Sequence, residues 1–503
     1  MTRSAADVGS GLLPARPARP IVAGERIHVL GAAGAGASAA ALLAHHAGAS
    51  VSGCDQGGRS PYSSALEAAG IPLAAEHSPD HLYTGSATDR PVGRLAVTKA
   101  LTAVAPDHPE LRAARAIGVP LEPWQQLVAD AAATQPGTRL VAVAGTHGKS
   151  TTSGWLVDQL VRDGRDPSAF VGALLPAELT GADPATARWG SGSEFVVEAD
   201  EYAGNFDPYR PDVALLLNVE WDHPDVFEDQ AAVEQAFAEW LRRAAVDGHR
   251  PVLLANVADA GVRAVAGRLA GWTGEVVTVG IGVAADVAAE MEVRDGVSQL
   301  VVGGRFGPAT LKVGLAGSHN AANALMVYAA GQVLGVGRAA ASASLAQFAG
   351  VGRRLEHKGE ASGVTVLDDY GHHPTAIERT LEAVRQRYPG RRLWAVYEPL
   401  TYHRTAQMLE RFADVLAANA DRVAIADIWA GRDPDMTVTS SAALAEAINR
   451  RRGAPASAPG SVEATADQLA SEVEPGDVVL VMGGGRSYVI AERLLELLGG
   501  KPR

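Results

Sequence analysis

The sequence predicts an α/β protein with parallel sheets in three domains, and three observations carry that expectation. Apolar runs of strand length alternate with Ala- and Leu-rich helical stretches along almost the whole chain. Two of the runs deliver glycine-rich turns into helices: "RIHVLGAAGAGAS" from residue 26 and "RLVAVAGTHGKSTTSG" from residue 139. The length, 503 residues, is more than a single hydrophobic core ordinarily organises.

Bulk properties narrow the class. Apolar residues make up 47% and charged residues 20%, the balance of a globular protein. A formal charge of −13 argues against general affinity for nucleic acid or anionic membrane. Cys54 is the only cysteine, which excludes internal disulfides and cysteine-rich metal sites. No apolar run reaches membrane-spanning length. The expectation is a cytoplasmic protein, a monomer or weak homodimer, whose partners are small molecules.

Residues 1–23 combine Arg and Pro without an apolar signal core and read as a disordered leader. The first domain, 24–137, opens with a strand, a helix over 37–48 and a second strand from 49, and ends at the linker "TQPGT". Its turn holds Gly34-x-Gly36-x-x-Ala39, with Asp55 about twenty residues beyond. Such glycines let backbone approach a pyrophosphate closely. Alone, this pattern also fits a nicotinamide dinucleotide, with Asp55 on a ribose hydroxyl.

The central domain, 138–350, begins with the strand that enters "GTHGKS". This loop is shorter than G-x-x-x-x-G-K-[ST], because Val143 stands where the first glycine belongs. Its chemistry is the same: N–H groups and a helix N-terminus face phosphate, Lys149 reaches the β/γ-phosphates and Ser150 takes Mg²⁺. Two further buried strands end in "EADEY" and "NVEWDH". Ligands of open α/β sheets sit at the carboxyl ends of strands, so Lys149, Ser150, Glu198 and His223 are predicted at one edge. A carboxylate and a neutral imidazole there suit a divalent cation against triphosphate. The plainer alternative has Asp200, Glu201 and Asp225 capping strand ends toward water.

The third domain, 351–503, has strands in "VTVLDDY", "RRLWAVYEP", "DRVAIADI" and "GDVVLVMGGG", with a helix over 374–386. "DDYGHHP" reads as a strand end and turn before Pro374.

Eight segments in order, "GAAGAGAS", "GTHGKSTTSG", "EADEY", "NVEWDH", "GSHNAANAL", "GVGRRLE", "LDDYGHHPTAI" and "YHRT", resemble the Mur ligase family from residue 26 onward. The resemblance implies a Rossmann-like UDP-binding domain, a P-loop ATPase-like central domain and a Rossmann-like C-terminal domain. It implies an amide-bond ligase that joins the carboxylate of UDP-N-acetylmuramate to an amino acid, first of all L-alanine, through an acyl phosphate. ATP and Mg²⁺ are the implied cofactors.

By the same resemblance, Gly145, Thr146, His147, Gly148, Lys149, Ser150 and Thr151 hold ATP. His319, Asn320 and Asn323 lie on its adenine side, although a capped helix start at Ser318 explains those residues equally well. Arg354 reaches the γ-phosphate and Asp369 the nucleotide. Ser150, Glu198 and His223 are the implied metal ligands, and Lys149, Glu198, His223 and Arg354 the catalytic set. Gly31, Gly34, Gly36, Ser38 and Asp55, with His28, line the UDP-sugar. Tyr370, His372 and Arg404 line the amino acid.

The chain departs from the family's "QPH[TR]Y-RT" pattern by placing Glu398 at the Gln and Leu400 at the His. That leaves the amino acid open. "EADEY" is a shade closer to family members that attach a whole tripeptide, while "DDYGHHPTAI" and "YHRT" favour members that attach a single amino acid. A folate-type ligase, a dehydrogenase and a non-catalytic nucleotide binder are the remaining alternatives. The dehydrogenase reading gives Lys149, Glu198 and His223 no role.

Overall fold

The computed structural model describes residues 8–83, 91–246, 248–294, 297–431, 433, 435–451 and 453–499. Its first sheet is parallel. The strands run Leu73–Ala74, Ser50–Cys54, Arg26–Leu30, Arg94–Val97 and Leu121–Pro123 in space. Ile27 to Leu30 are all buried, as an apolar strand between two parallel neighbours requires. The order reverses at Arg26–Leu30, and the glycine turn leaves the sheet at that switch point. The next helix, Ala35–His46, has eight successive buried residues, Ala37 to Ala44, instead of a polar stripe. It is covered by Trp124–Thr134 and by strands of the central domain, where Ser38 meets Thr186 and Trp124 meets Phe170.

Residues 8–23 differ from the expected disordered leader. Val8 and Ile21 are buried, and the Arg16 guanidinium bridges Glu122 at 2.8 Å and Asp130 at 2.7 Å. The cause is electrostatic. Glu122 and Asp130 are buried beside Arg94, and a second cation from the leader helps balance their charge. Residues 1–7 of the expected leader lie outside the described residues.

Among the described residues, ten strands form the central sheet. Its core runs Val213–Leu216, Arg139–Ala144, Glu194–Ala199, Ser168–Leu175, all parallel, with Ala185–Arg188 antiparallel at the edge. On the other side lie Val252–Asn256, Glu275–Ile281, Val287–Arg294, Val297–Gly304 and Ala309–Val313. Val143 is level with Glu198 and Ala144 with Leu216, so three adjacent strands end on one line.

The third sheet runs Glu356–Ala361, Val364–Asp369, Val478–Gly483, Leu393–Glu398, Arg422–Ala426, Ala456–Gly460. Only its first pairing is antiparallel. It belongs to a second compact unit, which holds the chain from Ala349 onward together with Val313–Ala321. Among the described residues no helix is long and apolar enough to cross a membrane.

Candidate active site

The short loop closes by gripping the neighbouring strand end. Gly145 has φ 139° and Gly148 φ 82°, and a Cβ on either would come within 2.9 Å of Asn218 O or Asn323 Oδ1. Both approaches require glycine. Asn218 clamps His147, accepting its N–H at 2.7 Å and donating to its carbonyl at 2.9 Å. Thr146 accepts the Glu220 N–H at 2.9 Å, and His147 Nε2 lies 3.2 Å from Glu220 Oε2. The loop then enters the helix Lys149–Arg162. Asn218 is a loop-shaping residue that the sequence reading missed. The strand-end position in "LLLNVE" was its only signal.

The predicted acids converge here. Ser150 Oγ donates to Glu198 Oε1 at 3.1 Å, and Glu198 Oε2 accepts the Gly172 N–H at 2.7 Å. Lys149 Nζ lies 3.1 Å from Glu201 Oε2 and 3.8 Å from Asp200 Oδ1. His223 Nε2 is 4.0 Å from Glu201 Oε1, in a left-handed backbone with φ 55°. Asp200, Glu201 and His223 place one ligand atom each within 4.8 Å of one another. Burial opposes the Lys149 charge, but Glu201, Asp200 and Glu198 outweigh it and raise its pKa. Burial pushes the Asp200 carboxyl up, and Lys149, His223 and the Asn205 side chain more than reverse this. The Asp200 carboxyl is therefore held anionic by the cations that face it.

A second ammonium group arrives from the first domain. Lys99 Nζ donates to the Ala203 carbonyl at 2.7 Å. Burial pulls its pKa down to about 8, against the pull of Asp207 and Asp200. Lys99 follows the strand Arg94–Val97 at the carboxyl edge of its sheet, which was a usable signal.

At the first glycine turn, the Gly31 and Ala32 N–H groups donate to the Cys54 carbonyl at 2.9 and 3.1 Å. Asp55 receives the Ala33 N–H at 3.1 Å and the Gly57 N–H at 2.9 Å, so its carboxylate shapes the turn. Gly36 serves packing, because a Cβ there would lie 2.2 Å from the Trp124 ring. Ser38 corrects the expectation of a lining residue. It is fully buried, with its hydroxyl on Ala35 O and Thr186 Oγ1 at 3.0 Å each. His28 is equally withdrawn; burial, with His81 and His77 adding to it, lowers its pKa to about 3.

The second unit carries its own cluster. The Arg354 guanidinium lies 4.9 Å over the Tyr370 ring. Asp369 receives the Leu355 and Gly371 N–H groups at 2.8 and 2.7 Å, while burial raises its pKa against Arg354. His372 Nδ1 donates to the Tyr370 carbonyl at 3.0 Å. Arg404 is buried in the short helix Tyr402–Gln407, after Thr401 at φ 66°. Leu400 and Tyr370 both lie against Gly484, where a Cβ would meet Leu400 Cδ2 at 3.1 Å and Tyr370 Oη at 3.3 Å. Burial raises the Glu398 carboxyl despite the Arg486 and Ser487 N–H groups. In the Val313–Ala321 segment, Asn320 Nδ2 donates to Ala316 O at 2.7 Å, and His319 packs on Gly317. Thr151 is buried in the first helical turn after the loop.

Family models match three stretches: "Mur ligase family, catalytic domain" over 26–136, "Mur ligase middle domain" over 143–331 and "Mur ligase, glutamate ligase domain" over 353–485. The UDP-N-acetylmuramate–L-alanine ligase of Kineococcus radiotolerans is 38% identical, over 94% of this chain and 96% of that protein. The enzyme of the same name from Frankia casuarinae is 35% identical, over 94% and 98%. Among solved structures, a UDP-N-acetylmuramate–alanine ligase from Thermotoga maritima superposes with a TM-score of 0.75 at 23% identity, covering 94% and 98%. A murein peptide ligase from Psychrobacter arcticus gives 0.70 at 26%, covering 95% and 99%.

Proposed function

The chain belongs to the Mur ligase family, and from that premise we propose that it joins an amino acid, L-alanine foremost, to the carboxylate of UDP-N-acetylmuramate at the expense of ATP. The observation that carries this reading is the convergence of Lys149, Ser150, Glu198, Glu201 and His223 on three level strand ends. The family relatives of this name support the substrate pair.

In this reading the loop N–H groups and Lys149 hold the β- and γ-phosphates. A carboxylate oxygen of the sugar nucleotide attacks the γ-phosphorus, and ADP leaves. The amine nitrogen then attacks the acyl carbon, orthophosphate departs and the nitrogen sheds a proton. Both steps gather negative charge, so positioned cations and excluded water contribute more than a protein nucleophile would. Lys99 and Lys149 supply ammonium groups from two domains toward Asp200, the place where the acceptor carboxylate enters. Ser150, Glu198, Asp200, Glu201 and His223 form an oxygen-rich donor set that fits Mg²⁺. Mg²⁺ held there supplies neutralisation of phosphate charge. In the second unit, Arg404 pairs with the incoming amino acid's carboxylate, for which a guanidinium fork is suited. Tyr370, Leu400 and Gly484 shape its side-chain space.

Phosphate release with UDP-N-acetylmuramate, ATP and each of L-alanine, glycine, L-serine or the L-alanyl-γ-D-glutamyl-diaminopimelate tripeptide tests the reading. L-Alanine is expected to give the highest kcat/KM. Turnover with the tripeptide alone would move the chain to the peptide-recycling branch, and no turnover with any amine would reject ligation.

A further inference from the structure

The first sheet gathers a second group of ligating side chains that the ligase reaction leaves without a role. His28 stands on the strand Arg26–Leu30, Cys54 ends the strand Ser50–Cys54, His81 lies in the turn Pro79–Tyr83 and Glu110 opens the helix Pro109–Ile117. Four separate segments thus meet at one point. His28 Nε2 is 3.3 Å from Cys54 Sγ and 3.6 Å from Glu110 Oε2. Cys54 Sγ is 3.3 Å from Glu110 Oε1, and His81 Nδ1 is 3.1 Å from the same oxygen. All four ligand atoms lie within 4.8 Å of one another. We propose that His28, Cys54, His81 and Glu110 form a structural zinc site that pins the first sheet beneath the turn from Gly31 to Gly34.

Spacing, charge and orientation by outer partners all favour such a site. A tetrahedral zinc with bonds of about 2.0–2.3 Å sets its ligand atoms roughly 3.3–3.8 Å apart. The His28–Cys54, His28–Glu110 and Cys54–Glu110 pairs have that separation before any ion draws them in, and the His81–Glu110 pair, at 3.1 Å, is slightly closer. Glu110 is completely buried, and among the described residues its ion-pair partners are the imidazoles of His28, His77 and His81, with no Lys or Arg. A buried carboxylate calls for a matched cation. One dication balances the Glu110 carboxylate and a Cys54 thiolate, with two neutral imidazoles completing the shell and the thiol proton passing to solvent. Ser52 Oγ lies 2.8 Å from His28 Nδ1, and the Ser78 N–H donates to Glu110 Oε1 at 2.8 Å. Metal-bound imidazoles and carboxylates characteristically have such supports.

The mixed sulfur, nitrogen and oxygen set selects zinc over magnesium, which takes oxygen donors. Four protein ligands make a closed site, structural in kind. The Cys54 carbonyl receives the Gly31 and Ala32 N–H groups, so the ion sits one residue from the glycine turn.

Cobalt substitution in the full-length protein tests the proposal, because Cys54 is the only cysteine. A thiolate-to-cobalt charge-transfer band therefore reports this site alone, and the ATP site, which has no thiol, is silent. The protein stripped with chelator is expected to take one Co²⁺ per chain, with that band and the visible bands of four-coordinate cobalt. Zinc should displace it and raise the melting temperature. Cys54→Ser should abolish the band and weaken zinc binding at least 100-fold. Ser52→Ala should keep the band while weakening binding about 10- to 100-fold. No band after one equivalent of cobalt in the folded wild-type protein would overturn the site, whether or not the variants fold. Equal zinc affinity of wild type and Cys54→Ser would do the same.

Discussion

Lys149 Nζ rests 3.1 Å from Glu201 Oε2, so the loop lysine is held by an acid from the adjacent strand. The same ammonium donates to the Gly145 carbonyl at 2.7 Å, which folds it back over its own loop. The neighbouring acids keep the lysine protonated. In the proposed reaction, arriving phosphates compete with these partners for its charge.

Removing that ammonium takes away stabilisation of the transferring phosphoryl group. Lys149→Ala is expected to lower the ADP-forming kcat by about 10²–10³-fold or more. UDP-sugar affinity should stay within about twofold, since the first glycine turn belongs to another sheet. Calorimetric titration of the variant with UDP-N-acetylmuramate is the check, and loss of that binding would contradict two separate nucleotide sites.

With Lys99 facing the acceptor substrate as proposed, binding of the sugar nucleotide is expected to depend on pH. The Lys99 pKa is lowered from 10.5 to about 8, so the folded protein carries this charge below about pH 8 and loses it above. An anion binds the protonated form. Affinity is therefore full below pH 8 and falls as pH rises, at most about tenfold per unit. The KM for the sugar nucleotide, measured from pH 7 to 9.5, is expected to climb above 8 in the wild type and stay flat in Lys99→Arg. Matching profiles would remove Lys99 from the site.

How far the sequence reveals this arrangement depends on whether the signal is local. "GTHGKS" is a local code: its glycines, lysine and serine act within one turn, and the structure places them at a strand–helix junction. The place of Glu198 was legible because buried strands must end at a common edge, and that of His223 because the loop after Val213–Leu216 leaves from the same edge. Lys99 was legible only as a residue just past the strand Arg94–Val97, since its meeting with Ala203 joins two domains over 104 positions of sequence. Ser38 misled for a related reason. Small polar residues in a glycine turn suit a ligand or a tight helix crossing equally, and only the neighbour Thr186 distinguishes the two. The leader misled because its arginines looked solvated while their acids, Glu122 and Asp130, lay a hundred residues away.

Two glycines that look alike in the sequence are expected to fail differently. Gly148→Ala places a Cβ 2.9 Å from Asn323 Oδ1 at φ 82°, a conformation that costs an alanine about 1–2 kcal/mol. It should impair ATP binding at least tenfold by shifting the loop. Gly36→Ala meets the Trp124 ring at 2.2 Å and is an overpacking change of about 1–3 kcal/mol. Its effect belongs in urea unfolding of the first domain. If Gly36→Ala unfolded like wild type but lost UDP-sugar binding, Gly36 would contact ligand instead of packing a helix.

The role proposed for Arg404 separates amino-acid recognition from nucleotide handling within the second unit. Arg404 is buried beside a left-handed Thr401 whose N–H donates to the Trp429 carbonyl at 3.0 Å, so its backbone is fixed before any substrate arrives. A guanidinium held this way grips a carboxylate through two parallel bonds, whereas a lysine offers a single point of charge. Arg404→Lys is therefore expected to raise the amino-acid KM at least tenfold and the ATP KM less than twofold. Lysine keeps the charge, so a shift in amino-acid KM reports lost geometry and not lost electrostatics. If the amino-acid KM were unchanged, the carboxylate would have to be recognised elsewhere. If both constants rose together, Arg404 would be acting on the fold of the unit.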